Sequence, residues 1–592
     1  MNIPDVLIES RRVLDGIQEF SLINDWNWEP TLNKWYLKFA ITIKEAIDID
    51  SVTHWVLTVG PDYPNGSIDV FPDALKGICQ TYPHQSNNGI KSKNGIWKKG
   101  KLCLNTPNFF EKSKPEYDAY LLEWFILRTV EWIEKANCSK LLENGDWFEL
   151  PAYNVVKPMT IAYDEDEVSS MIWESHDERY GFVDLKIIND MSVYCIIRYR
   201  DLKGHAVYEP VWGNHINEKN SKSRYDLGAW ILLKQVLVLN NWQAPNTYEE
   251  LKFSLQNQET NLEDILSKVF PKFRDGKRHL LIFGFPVPHK IGEFSSSIVW
   301  KGLLLPSLSY GNKYANGFRN KELGWKKRDF SKILMNNTLL EWVNTDNWNA
   351  DNRLNRGKYT STITSKRYLV IGAGTLSSFV CEQLVRNGVE DITIIDDDEF
   401  HAGNLARHLL AISDISKNKA TALAHHLNST NTHARIKAIT NELKSDDITI
   451  FDRMDVILDC SGNDKVLKIV SESHFGSKVI FFSVSFGFKA NMIYIAAGQA
   501  RTFSKEIFSG IFGDAIRNDI KKREFEDIPW EGIGCWSPVF PAKTSDVMLA
   551  AATAVEIITH YLEKGEIINK NFIYKKEYDE DGFLIGYRQF KK

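Results

Sequence analysis

A chain of 592 residues, 43% hydrophobic and 25% charged, has the composition of a soluble globular protein, and at roughly 100–200 residues per domain it holds about three domains. Its net charge of −5 excludes a global basic field that would draw nucleic acid or an anionic membrane. The seven cysteines contain no C-x-x-C pair, which argues against a structural zinc site, and their scatter favours reduced thiols over a disulfide framework.

Met1 to Arg12 has no basic segment followed by a long apolar one, so no signal peptide is expected and a cytoplasmic protein is. Residues 1–145 begin with a helix-like segment (Val6, Leu7, Ile8, Val13, Ile17). Strand-like runs follow at Tyr36 to Ile43, Thr53 to Val59 and Ile68 to Phe71, with a dense turn signal at Gly60 to Gly66. An irregular stretch, Thr81 to Lys101, leads to Leu102-Cys103-Leu104, and an apolar helix pattern covers Pro115 to Asn137. This order predicts a small α+β domain. Residues 146–350 are less patterned. Phe182 to Ile188, Val193 to Tyr199 and Leu280 to Phe285 read as strands, and Tyr225 to Leu239 and Leu262 to Val269 as helices. A connector or docking domain is expected there, ending in the polar stretch Asn344 to Tyr359.

Residues 351–592 read as α/β, with a parallel, doubly wound sheet. Strand 367–371 runs through Gly372-Ala-Gly374 into helix 375–387. Strands Asp391 to Ile395, Val456 to Leu458 and Val479 to Phe482 alternate with helices Lys419 to Asn428 and 463–473. Glycines between a strand and a helix let main-chain N–H groups approach phosphate. Ser377 stands where the third glycine of the dinucleotide fingerprint belongs. Alone, the motif fits a dehydrogenase, a flavoprotein or a regulatory domain. Asp396, at the end of the second strand, is where a ribose-binding acid belongs. Arg407 and Lys419 have no place in dinucleotide oxidoreduction, whereas cleavage of ATP needs cations and a carboxylate for Mg²⁺, such as Asp459. The apolar stretch Val547 to Leu562 contains Glu556 and His560 and reads as a core helix rather than a membrane span.

Taken in order, Gly372-Ala-Gly-Thr-Leu-Ser-Ser378, Asp396-Asp-Asp-Glu-Phe400 with Asn404-Leu-Ala-Arg407, Lys417-Asn-Lys-Ala420 and Asp459-Cys-Ser-Gly-Asn463 resemble the ThiF/MoeB and ubiquitin-activating enzyme family over roughly residues 360–590. The resemblance implies an ATP site of Gly372, Gly374, Asp396 (ribose), Asn404, Arg407 and Lys419 (phosphates), with Asp459 as the Mg²⁺ ligand. Arg407 and Lys419 would also serve catalysis by neutralising phosphate charge. An extra arginine from a preceding helix is a family feature, for which Arg353 and Arg356 are the candidates. It also implies that a protein C-terminal carboxylate attacks the α-phosphate of ATP and that a thiol then attacks the acyl-adenylate.

Two cysteines are the candidates for a relay of thioesters, Cys535 first and then Cys103, before transfer to an amine. Gly532-Ile-Gly-Cys535-Trp-Ser-Pro538 is a glycine-flanked segment before a helix-like run and resembles the activating-cysteine loop of bacterial family members. Cys103 follows Tyr63-Pro64, a strand ending Phe71-Pro72, and Tyr82-Pro-His84-Gln-Ser-Asn87, a pattern that resembles the ubiquitin-conjugating fold over about residues 20–140. By that resemblance His84 orients the loop or assists the thioester, and Asn87 donates to an oxyanion. A conjugating-like domain fused ahead of an activating-like domain resembles the bacterial ubiquitin-transferase-like proteins of cyclic-oligonucleotide antiphage systems (CBASS). The implied partners are the C-terminal tail of a cGAS/DncV-like nucleotidyltransferase and an acceptor amine on a protein or small molecule. A homodimer is expected, with no direct nucleic acid or membrane partner. Two rivals stay open: a sulfur-carrier adenylyltransferase of ThiF/MoeB type, which leaves Cys103 without a role, and a non-catalytic nucleotide-binding adaptor.

Overall fold

The computed structural model describes residues 3–89, 92–104, 119–189, 192–219, 223–239, 242–444, 448–504, 512–523, 530–531, 537–538, 541–565 and 570–590. The chain divides into two units. The first comprises Met1–Pro210 with Arg224–Asn347, the second Val211–Ser223 with Trp348–Lys592.

The first unit opens with an antiparallel meander: β1 (Phe20–Glu29), β2 (Lys34–Thr42), β3 (Val52–Val59) and β4 (Ile68–Pro72), paired in chain order. Leu37, Phe39, Trp55, Leu57 and Val59 are buried on it, against Leu122, Phe125, Ile126, Trp132 and Ile133 of the helix Leu121–Asn137. Trp132 meets Trp55 edge-on at 6.1 Å and Tyr82 at 5.8 Å. Each such large side chain, fully buried, contributes roughly 1.5–3 kcal/mol.

The connector is a barrel. Strands β5 (Val155–Tyr163), β6 (Tyr180–Asn189), β7 (Val193–Arg200), β8 (Ala206–Tyr208), β9 (Arg224–Leu232), β10 (Leu280–Val287), β11 (Ser297–Leu304) and β12 (Trp342–Asn347) run in the order β5-β12-β11-β10-β9-β6-β7-β8. A parallel pairing of β5 with β7 closes the first seven. All seven place side chains in one buried cluster, including Ile161, Val343, Trp300, Ile282, Trp230, Leu185 and Tyr199. A barrel of this size has an interior that side chains can fill. Tyr225 to Leu232, expected as the start of a helix, is strand β9. Its inward Trp230 and Leu232 and outward Ala229 and Ile231 are all buried, because helices cover the outer face. A strand buried on both faces loses the alternation that would mark it.

In the second unit, β13 (Tyr368–Ile371), β14 (Ile392–Ile395), β15 (Lys437–Ile439), β16 (Val456–Asp459) and β17 (Val479–Phe486) form the expected parallel sheet, in the order β15-β14-β13-β16-β17. It continues antiparallel through β18 (Met492–Ala500), β21 (Lys570–Tyr578) and β22 (Leu584–Gln589). A separate ladder joins β19 (Trp530–Glu531) to β20 (Ser537–Pro538). The helices Thr375–Arg386, Lys419–Thr430 and Thr544–Lys564 share one buried cluster with the sheet. The last contains Val547 to Leu562, a core helix as expected. No helix among the described residues is long and apolar enough to cross a membrane.

The segment Val211–Ser223 lies on this unit as a strap. Gly213 N donates to Thr432 O at 2.7 Å, Asn214 N to Ala434 O at 2.8 Å and Asn214 Nδ2 to Ile436 O at 3.1 Å. Trp212 stacks on His433 at 5.6 Å. A Cβ on Gly213 would stand 2.5 Å from Ala434 O, so only glycine allows this approach.

Candidate active sites

Strand β13 delivers the chain to Gly372, whose φ of +94° favours glycine and where a Cβ would stand only 3.1 Å from the Ser461 backbone. Gly374 N-caps the helix Thr375–Arg386, and a Cβ built there meets nothing within 4 Å. It borders a cavity of about 680 Å³ lined also by Thr375, Arg407, Asp459, Ser461 and Ser483. A helix N-terminus opening on such a cradle, with a cation beside it, fits the phosphates of a nucleotide. Ser377 is fully buried and donates to Gly374 O at 3.0 Å, which accounts for a small residue at the third fingerprint position.

Asp396 follows β14 and accepts from Ala373 N at 2.5 Å and Asp398 N at 2.9 Å, while burial raises its pKa. It thus braces the glycine loop from the sheet's next strand. Arg407 is half-buried on the cavity wall and makes no ion pair with a described residue. Lys419 begins its helix with Nζ 2.9 Å from Asp398 Oδ2, so a phosphate must compete with Asp398 for it. Asn404 accepts from His401 N at 3.0 Å. Gly374, Arg407 and Asp459 line the cavity; Gly372, Asp396, Asn404 and Lys419 do not. Neither Arg353 nor Arg356 lines it, and Arg353 Nη2 donates to Asn431 Oδ1 at 2.7 Å.

Asp459, at the end of β16, is 1% exposed. Its Oδ1 accepts from Ser461 N at 3.0 Å and Ser461 Oγ at 2.6 Å, and its Oδ2 from Ser483 Oγ at 2.8 Å. Burial pushes its pKa up and these donors pull it down. The donor set is all oxygen, which fits a hard cation such as Mg²⁺. Sequence reasoning missed Ser483, which β17 supplies from 24 residues further along the chain. It also missed His408, 7% exposed beside Arg407. Cys460 borders the same cavity with its thiol pushed well up by burial, and Cys381 is fully buried with its thiol raised to about 12, an environment that disfavours the thiolate at both.

Cys535 lies outside the described residues; the pairs Glu531↔Ser537 and Trp530↔Pro538 flank it in the chain. Cys103 is half-buried, and its main-chain N donates to His84 O at 2.8 Å. Burial, then Glu149, raise the thiol's pKa against Lys101. His84 is 6% exposed, with Nδ1 2.6 Å from Glu149 Oε2. Asn87 was expected as an oxyanion donor. Its Nδ2 instead donates to Ala152 O at 3.1 Å and Asn246 Oδ1 at 3.3 Å, and its Oδ1 accepts from Gly89 N at 2.9 Å. These contacts make it a tether to the connector.

Residues 139–348 match the Cap2 central linker domain, and residues 350–584 the ThiF family. The ATP-dependent ubiquitin transferase-like protein Cap2 of Enterobacter hormaechei subsp. hoffmannii (strain UCI 50) is 30% identical over 544 residues, 89% of this chain and 89% of that protein. The chain belongs to the Cap2 family. Within it, the cavity beneath Gly374 falls in the ThiF portion and the barrel in the Cap2 linker portion. The adenylyltransferase and sulfurtransferase UBA4 of Yarrowia lipolytica is 30% identical over 112 residues, 19% of this Cap2-family chain and 28% of that protein. A crystal structure of E. coli MccB with ATP matches 39% of the chain and 66% of its own at 15% identity, with a TM-score of 0.28. The chain is therefore a Cap2-like, ATP-dependent ubiquitin transferase-like enzyme with a ThiF adenylation domain.

Proposed function

We propose that this enzyme conjugates the C-terminus of a partner protein to an amine through two thioesters. The partner's carboxylate attacks the α-phosphate of ATP, the bond to the β-phosphate breaks and pyrophosphate leaves. No general base is required, since a C-terminal carboxylate is ionised near neutral pH. Arg407 and the Gly374 helix N-terminus meet the phosphate charge, and Lys419 joins them on leaving Asp398. Asp459, with Ser461 and Ser483 beside it, would hold Mg²⁺, which supplies further charge neutralisation when bound. The Cys535 thiolate then takes the acyl group and AMP leaves. Exchange onto Cys103 frees Cys535, and an acceptor amine takes the acyl group from Cys103, losing its proton to solvent as the thiol is released.

The observation that carries this reading is one chain holding both a nucleotide-type cavity walled by Gly374, Arg407 and Asp459 and a cysteine, Cys103, on the edge of a separate α+β domain. A sulfur-carrier activator needs only the first. The partner best matching the resemblance is the C-terminal tail of a cGAS/DncV-like nucleotidyltransferase in antiviral defence of the CBASS type, with the enzyme acting as a cytoplasmic homodimer. Non-reducing intact mass after incubation with MgATP and the enzyme encoded beside it tests the relay. Partner adducts on Cys535 and Cys103, lost on reduction, are expected. Absence of both from a preparation active in ATP–pyrophosphate exchange refutes the relay for that partner, and an adduct on Cys535 alone favours the sulfur-carrier reading.

A further inference from the structure

We propose that Glu149, a residue of the connector, is a positioning residue of the Cys103 centre. Its carboxylate clasps His84 twice and so fixes the turn against which Cys103 is hung. The inference deepens the proposed relay by giving its second cysteine a partner from outside the conjugating-type domain.

Three links connect the two residues. Glu149 Oε2 accepts from His84 N at 3.2 Å and lies 2.6 Å from His84 Nδ1. His84 O accepts from Cys103 N at 2.8 Å, and the ladder continues through Gln85↔Leu102 and Ser86 N to Lys101 O at 2.9 Å. Glu149 is itself anchored, its main-chain O accepting from Trp242 Nε1 at 3.0 Å and its neighbour Phe148 meeting Trp242 edge-on at 5.9 Å. Asn87 supplies the second tether, to Ala152 and Asn246.

The conformation of His84 explains why a clasp is needed. Its φ is +56°, in the left-handed region that a non-glycine residue keeps only where its surroundings hold it there. Glu149 holds both ends of the residue, main chain and ring. The same carboxylate, half-buried, lies close enough to the thiol to oppose its ionisation; Lys101, engaged with Asp69 at 3.4 Å, acts the other way. The connector therefore sets both the position of Cys103 and the ease with which its proton leaves.

Two measurements on the full chain test this. In the first, iodoacetamide alkylation is followed between about pH 6.5 and 9.5 across the ordinary thiol range, resolved by peptide mass, with the exposed Cys79 and Cys138 as internal references. Glu149→Gln removes the charge and keeps an acceptor. Its Cys103 midpoint should fall and its alkylation rate at fixed pH below the midpoint should rise about threefold, with the reference cysteines unmoved. In the second, hydrogen exchange at the Cys103 amide should quicken in Glu149→Ala, because the His84 carbonyl loses its support. A Cys103 alkylation profile in Glu149→Gln superimposable on the wild type overturns the proposal, as does unchanged amide exchange in a folded Glu149→Ala. If Glu149→Ala fails to fold, the Glu149→Gln profile decides alone. Neither measurement needs ATP or a partner, so failure of the relay and failure of this inference are read separately.

Discussion

His408 is joined to Ala373 across the nucleotide loop: its Nε2 lies 2.9 Å from Ala373 O, while its Nδ1 accepts from Leu410 N at 3.2 Å. The second contact requires Nδ1 to be bare, so Nε2 carries the hydrogen and donates to the carbonyl. The neutral ring thus pins the turn that carries Arg407 to the loop between Gly372 and Gly374.

Protonation at Nδ1 would break that arrangement. Burial lowers the His408 pKa, and Lys419 and Arg407 add to the effect against the Ala373 hydrogen bond and Asp414. The unfolded chain takes up a proton here near pH 6.5 while the folded one resists. Stability is fully present above that pH and declines as pH falls below it. His408→Ala, which strands two buried main-chain groups, should cost about 1–3 kcal/mol in urea melts at neutral pH and weaken ATP binding, while lessening the acid-side decline.

Removing the Asp459 carboxylate and removing one of its supports should differ in size. Asp459→Asn is expected to lower ATP–pyrophosphate exchange by about a hundredfold or more. Ser483→Ala deletes one hydrogen bond to a charged group and should cost about tenfold. Exchange at saturating ATP, followed across a Mg²⁺ titration, checks both.

Arg407 and Lys419 should separate by their ground-state partners. Arg407→Ala removes a cation that has no ion-pair partner among the described residues to strand, so it should raise KM for ATP by about tenfold or more and leave thermal stability nearly unchanged. Lys419→Ala strands Asp398, whose side chain is 69% exposed, so its stability cost should stay below about 1 kcal/mol while exchange activity falls. Steady-state kinetics beside thermal melts distinguish the two effects.

Inside the connector barrel, Glu165 is 2% exposed and accepts from Trp173 Nε1 at 2.9 Å, Trp300 Nε1 at 2.8 Å and Ser169 Oγ at 2.5 Å. Burial raises its pKa to about 8, against those three donors. A carboxyl that holds its proton more tightly when folded stabilises the fold at low pH. That contribution declines as pH rises above the unfolded value and is lost beyond about 8. Glu165→Gln should flatten the fall in unfolding midpoint between neutral and alkaline pH, followed by the fluorescence of the same tryptophans.

The adenylation sheet was legible because its signals are local: a strand running into Gly372, an acid at the end of β14 and another at the end of β16. The barrel was not. Its closure depends on β12 pairing with β5 and β5 with β7, and β12 lies at residues 342–347 against 155–163 for β5. The run from Tyr225 lacks a strand's alternation because both faces of β9 are covered. His408, Ser483 and Glu149 carry no motif of their own. Each matters through a group brought to it by folding: Ala373, Asp459 and His84.

The strap at Val211–Ser223 changes what cutting this chain can accomplish. Since that segment belongs to the second unit, the backbone passes between the units three times, at Pro210–Val211, Ser223–Arg224 and Asn347–Trp348. A single proteolytic nick near residue 348 cuts the covalent link, yet residues 211–223 stay on the first fragment while hydrogen-bonded to Thr432, Ala434 and Ile436 of the second. Excising residues 350–584 as an isolated enzyme would strip Trp212 from His433 and expose the carbonyls of Thr432, Ala434 and Ile436. The connector and the adenylating machinery are thus inherited together, and a shortened catalytic fragment should be made with residues 211–223 supplied alongside it.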